Sequence, residues 1–192
     1  MGRTLIVVPR MFTKRELEMT GLKIPADLND KTKEFWDYVE ERLNALSPRI
    51  SKVYAESACK GGQDDVNMLK ETSCRLHRVV SRLVAEGAEM TATEDQMLVL
   101  ETESWSSLTR QNTVGAEKQM LEESLEDRRE AVSNRVAETL REGEMGVLFI
   151  SSLQIPDLHS DIRVIRMMPF DPKDYLETLL VSSRLQGRTE TR

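Results

Sequence analysis

Residues 146–158 read GVLFISSLQIPDL. The first five are apolar or small with no polar break, and a polar loop follows. A half-solvated strand alternates apolar with polar residues. An unbroken run instead means burial on both faces, the habit of a parallel sheet covered by helices. This is the most apolar strand in the chain, so it belongs at the centre of the sheet. In open α/β folds ligands sit beyond the carboxyl ends of such strands. Ser151, Ser152 and Gln154 therefore stand where a site is expected.

Working outward, TLIVV at 4–8 is a second buried run, closed by Pro9. ISKVYAES reads as a short strand ending at Glu56, and AEMTATED (88–95) as a third strand ending in Glu94 and Asp95. DIRVIRMM alternates more, which places it near an edge. Helical stripes lie between these runs. Phe35, Val39, Leu43 and Leu46 mark a helix over 30–46, with Asp30 able to cap its start and Pro48 beyond its end. Val66, Leu69, Leu76, Val80 and Leu83 mark a helix over 63–86, stopped by Gly87. Residues 96–142 read as helical with a break near 112–115. The second half of that stretch carries Leu121, Leu125, Val132, Val136 and Leu140 on one face. A last helix is expected over 171–185, begun at Asp171 with Pro172 in its first turn, before a frayed tail. The alternation of strands and helices predicts a single α/β domain over 1–192. Its three layers are a mainly parallel central sheet and helices on both faces.

Composition excludes several classes. With 27 basic and 33 acidic side chains the net charge is -6, which argues against non-specific nucleic-acid binding. No apolar run reaches the roughly 18 residues of a membrane helix, and TLIVV is too short for a secretory signal. A cytoplasmic protein is expected, with no membrane partner. Cys59 and Cys74 then read as reduced thiols.

The chemistry-bearing residues gather at strand ends. If the strands are parallel, Glu56, Glu94 and Asp95 share a rim with Ser151, Ser152 and Gln154. Paired carboxylates there suit acid-base work or a hard cation, whereas an acid in the position of Asp95 also suits helix capping. Arg128 and Arg129 fall close to the apolar stripe of their helix. A charge so near a buried face either reaches a carboxylate, Glu56 being one candidate, or snorkels to water. His159 follows the late strand and is a candidate to approach the rim, while His77 sits beside a helix stripe. With Cys59 and Cys74 these histidines make no metal-ligand spacing. No G-x-S-x-G elbow, G-x-G-x-x-G or P-loop occurs, so no cofactor is named.

EDRREAVSNRVAETLREGEMGVLFISSLQIPDL (126–158) resembles the closing segment of the TraB, ChaN and erythromycin-esterase-like superfamily, in which an arginine-bearing helix leads into a late strand. TLIVVPRMFT, SKVYAES and MTATED align with that family's earlier strands, so the likeness spans most of residues 3–165. It implies the α/β fold and a site at the strand ends, in which Glu56 matches the family's acid and Arg128 its arginine. Phe12 and Gln154 stand where the family places histidines. Phenyl and carboxamide groups take no proton near pH 7, so the expectation is the family's fold without its hydrolysis.

Three functions are carried forward. The first is a non-catalytic domain binding a small ligand or partner at the rim, with Phe12, Glu94, Ser152 and Gln154 as contacts. The second is a hydrolase with Glu56 as base and Arg128 as electrostatic clamp. The third is a homodimer built on exposed methionines such as Met90, Met97 and Met120.

Overall fold

Five strands, all parallel, make one sheet in the order β3-β2-β4-β1-β5. They are β1 (Arg3–Pro9), β2 (Ile50–Ala55), β3 (Glu89–Met90), β4 (Met145–Ile150) and β5 (Ile162–Arg166). The helices are α1 (Lys14–Glu18), α2 (Leu28–Leu46), α3 (Gly62–Thr72), α4 (Cys74–Ala85), α5 (Gln96–Gln111) and α6 (Ala116–Thr139). The computed structural model describes residues 2–18, 27–111, 115–151 and 154–172. The expected helix over 171–185 lies outside them apart from its first two residues, and so does the tail. Among the described residues no helix is long and apolar enough to cross a membrane.

The GVLFI run is the central strand. Val147, Leu148, Phe149 and Ile150 are all buried, because β2 and β1 flank β4 and helices cover both of its faces. Alternate side chains feed two separate cores. Ile6, Val8, Val53, Ala55, Val147 and Phe149 pack under α2, α3 and α4. Leu5, Val7, Tyr54, Leu148, Ile150 and Ile162 pack under the second half of α6. These are the three layers expected. β5 is an edge strand with residues 163–166 exposed, which matches its alternating sequence. Pro9 fits the end of β1 because Val7 already bonds towards the β5 side, through its carbonyl and the Met167 N–H. Pro9 points the same way, where its missing N–H costs no ladder bond beyond the last β1–β5 pair, Val7 with Arg166.

The structure corrects four local expectations. Helix α2 begins at Leu28, so Asp30 lies in its first turn rather than at its cap. The helix expected over 63–86 is two helices, joined at Ser73, which is extended (φ -150°). Its N–H closes α3 on Leu69 O and its carbonyl opens α4 to His77 N. Thr72 and Ser73 are weak helix formers, and the bend lets Leu69 and Leu76 both reach the core. The third strand is two residues long rather than eight. Past Thr91 the Thr93 hydroxyl takes the bond from Ala55 N (3.0 Å) that a strand carbonyl would take, and the chain peels off the sheet. Met90 is buried in the core, so it cannot serve a dimer face.

Gly146 is required by close approach. A Cβ there would sit 3.1 Å from Leu5 Cδ1, 3.1 Å from Tyr54 Cε2 and 3.2 Å from Leu140 Cδ1. Three neighbours would have to give at once in a filled core. Gly146→Ala should cost about 1–3 kcal/mol, the usual range for overpacking, read by urea unfolding. An unchanged midpoint would contradict the packing described.

Candidate functional site

Connections decide where the site lies. Those leaving β1 and β2 pass to the α2–α4 face, while the one leaving β4 descends the α6 face, with Ile155 and Leu158 against that core. The chain therefore parts on either side of the β4 carboxyl end, and such a parting opens a crevice in parallel sheets.

Glu56 occupies that crevice. Its backbone N–H continues the ladder to Phe149 O at 2.8 Å, which fixes the side chain over the end of β4. Oε2 accepts from Ser151 N at 3.2 Å and from Arg10 Nη1 at 3.3 Å. Arg10, the first residue after β1, also gives Nη2 to Glu16 Oε1 at 2.8 Å. Glu16 in turn accepts from the N–H and hydroxyl of Thr13 at 2.7 and 2.6 Å. The guanidinium stacks 5.1 Å from the centre of the Phe12 ring. Phe12 thus serves as a platform for the Arg10 cation.

A second pair lies beside the first and deeper. Arg128 Nη2 meets Glu94 Oε2 at 2.6 Å, with only 8% and 2% of the two side chains exposed. The same oxygen accepts from Ser57 N at 3.1 Å. Burial pushes the Glu94 carboxyl above the ordinary glutamate range; Arg128 works against that shift and the charge of Glu56 adds to it. An acid raised in the folded state binds more protons there than in the unfolded chain, so its contribution to stability is lost as pH rises. Stability should therefore fall from the ordinary glutamate range upward more steeply in the wild type than in Glu94→Gln. Parallel curves from denaturant titrations at several pH values would contradict this.

Several expectations meet the coordinates here. Glu56, Glu94, Ser151 and Gln154 share the carboxyl rim. Ser151 joins two of them, giving its N–H to Glu56 and its carbonyl to Gln154 N at 2.9 Å. Arg128 reaches a carboxylate, but it is Glu94 and not Glu56. Arg129 pairs with Glu126 on the helix surface. Asp95 caps α5, accepting from Met97 N at 2.7 Å. Ser152 lies outside the described residues. His159 is corrected: its carbonyl accepts from Ile162 N, which puts it before β5 at the amino edge of the sheet. His77 is on α4, away from the rim. Arg10 was not singled out from sequence, although a cation directly after the buried TLIVVP run is a legible signal. Asp65 was missed too. It is buried and accepts from Lys60 N and Gly61 N at 2.9 and 2.6 Å, fixing the turn before α3. Gly61 is needed in that turn, with φ +78° and Ala92 N only 3.1 Å from where a Cβ would lie.

Two cavities flank the Arg128–Glu94 pair. One of about 280 Å³ lies between α5, α6 and Gln154 and includes Arg128. The other, about 270 Å³, includes Ser57, Cys59, Asp65 and Glu103. Burial, followed by the charges of Glu94 and Asp65, pushes the Cys59 thiol up to about 11, so it is no nucleophile at neutral pH. Among the described residues no group of three or more His, Cys, Asp or Glu is placed to hold a metal ion.

Fold and rim together define a parallel three-layer α/β domain whose carboxyl edge carries the guanidinium groups of Arg10 and Arg128, each paired with carboxylates. Comparison with protein-family models, curated proteins and solved structures gives no match.

Proposed function

We propose that this domain binds a small molecule at the carboxyl rim and does not catalyse its conversion. One observation carries the reading. Both rim carboxylates, Glu56 and Glu94, are engaged by a guanidinium and a backbone N–H, while both histidines of the chain stand elsewhere. One oxygen of each is thereby already occupied by two donors, and neither described histidine, the usual base at neutral pH, stands at the rim. The joint presence of Glu56 and Arg128 at one rim also supports kinship with the TraB, ChaN and erythromycin-esterase-like superfamily, with Phe12 and Gln154 marking lost histidines. The test is hydrolysis of ester and peptide substrates by the wild type and Glu56→Gln. The expected result is no turnover above background in either. Turnover by the wild type that disappears in Glu56→Gln would establish the hydrolase instead.

A second reading, a homodimer, draws on exposed apolar side chains. Met97, Leu100 and Leu108 on α5 and Met120 on α6 are 72%, 49%, 41% and 37% exposed. Light scattering on wild type and Met97→Glu, from micromolar concentration upward, decides it. A monomer throughout removes the dimer.

A further inference from the structure

Helix α5 turns apolar residues outward. No residue of α5 belongs to either core of the domain. Its inner side faces α6: the Thr102 and Ser124 hydroxyls bond at 2.7 Å, and the Thr109 hydroxyl donates to the Glu117 carbonyl at 3.4 Å. At about 100° per residue, Met97, Leu100 and Leu108 lie within about 80° of one another and nearly opposite Thr102 and Thr109. All three are exposed. A surface helix ordinarily shows water its polar face, and an exposed apolar stripe marks a docking surface. The stripe runs about three turns, roughly 16 Å, the length of a short partner helix. At its border Leu100 joins Val99 and Met68 in lining the cavity of about 270 Å³ between α3 and α5, which gives one large side chain a socket.

Charge decides what docks. Residues 96–127, α5 and the part of α6 before Arg128, carry seven acidic and two basic side chains. That surplus is most of the chain's net charge of -6. Glu101 stands beside the stripe, and exposed Asp64 and Glu103 line the cavity with Lys60 as its one cation. A second copy of this chain would bring the same acidic surplus against the first, and like charges across an interface are costly. An anionic membrane or a nucleic acid is repelled for the same reason. A cationic partner is drawn in and held in register.

We infer that α5 and the α3–α5 cavity dock a basic amphipathic helix of a partner protein. Its apolar side chains lie along Met97, Leu100 and Leu108, one of them entering the cavity beside Met68 and Val99. Its lysines or arginines meet Glu101, Glu103 and Asp64. Methionine suits such a face, since its flexible thioether repacks against different side chains.

The probe is a synthetic peptide of about 14 residues with leucine along one helical face and lysine along the other. A scramble of it and a version with glutamate for lysine are the controls. Each is titrated into the nitrogen-labelled full chain and followed by amide proton-nitrogen spectra. The lysine peptide should shift the amides of Met97, Leu100 and Leu108 and bind at least about tenfold tighter than either control. Its affinity should fall about tenfold when Met97→Ser and Leu108→Ser are combined. Glu101→Gln with Glu103→Gln should weaken binding and flatten its dependence on salt. All four positions are exposed, so the variants keep the fold. Shifts confined to other parts of the chain, equal binding of the scramble, an unchanged salt dependence, or no binding of the lysine peptide would overturn the inference. So would peptide-free spectra in which the same amides move with protein concentration, because a second copy would then own the face. Shifts of those amides by phosphatidylserine vesicles would hand it to a membrane and overturn the inference too.

Discussion

Glu94→Leu should destabilise the folded chain by about 3–5 kcal/mol, because it strands the buried Arg128 guanidinium without its counter-charge. Glu94 and Arg128 are 4% and 7% exposed, so water cannot take the carboxylate's place without opening the rim. Adding Arg128→Met to Glu94→Leu should restore most of the loss, since an apolar pair of similar volume carries no desolvation cost. The measurement is urea unfolding of wild type, both single variants and the double, read as a mutant cycle. A single variant within 1 kcal/mol of wild type would show that the pair is open to solvent. The double variant also separates fold from function: it should remain folded while losing any ligand that depends on Arg128.

Trp36→Ala should cost about 3–5 kcal/mol, the range for deleting a large buried aromatic. Trp36 on α2 is 1% exposed, with the Phe35 ring 5.6 Å and the Phe149 ring 6.4 Å away. Its indole N–H also donates to Met11 O at 3.0 Å, tying α2 to the loop that carries Arg10 and Phe12. Trp36→Phe tests that second role. It keeps most of the ring but strips Met11 O of its donor, so it should cost about 1–3 kcal/mol. Amide exchange at Thr13 should then quicken more than exchange in β4. Equal protection at Thr13 in both proteins would mean the loop is held without the indole.

The sheet was legible where burial writes itself into composition. TLIVV and GVLFI have no polar break because helices cover both faces of β1 and β4, whereas DIRVIRMM breaks its run because residues 163–166 are exposed. The strand order was not legible, since pairing of β4 between β2 and β1 is settled by crossovers, not by local pattern. The eight-residue third strand failed because AEMTATED looks extended throughout. Past Thr91, however, the Thr93 side chain replaces the ladder partner. That replacement also swings Glu94 under Arg128. No spacing rule distinguishes Glu94 from Glu56 as the partner of Arg128, because the choice depends on where β3 leaves the sheet. The break at Ser73 is equally quiet in sequence, as one serine in a run of good helical spacing.

The strand order has a consequence for synthesis. β1 pairs only with β4 and β5, so Thr4 waits for Met145 before it finds its neighbour. At roughly 5–20 residues per second, the ribosome leaves TLIVV without a mate for on the order of ten seconds. During that interval a sticky, unmatched N-terminal segment is exposed to chaperones and to other nascent chains.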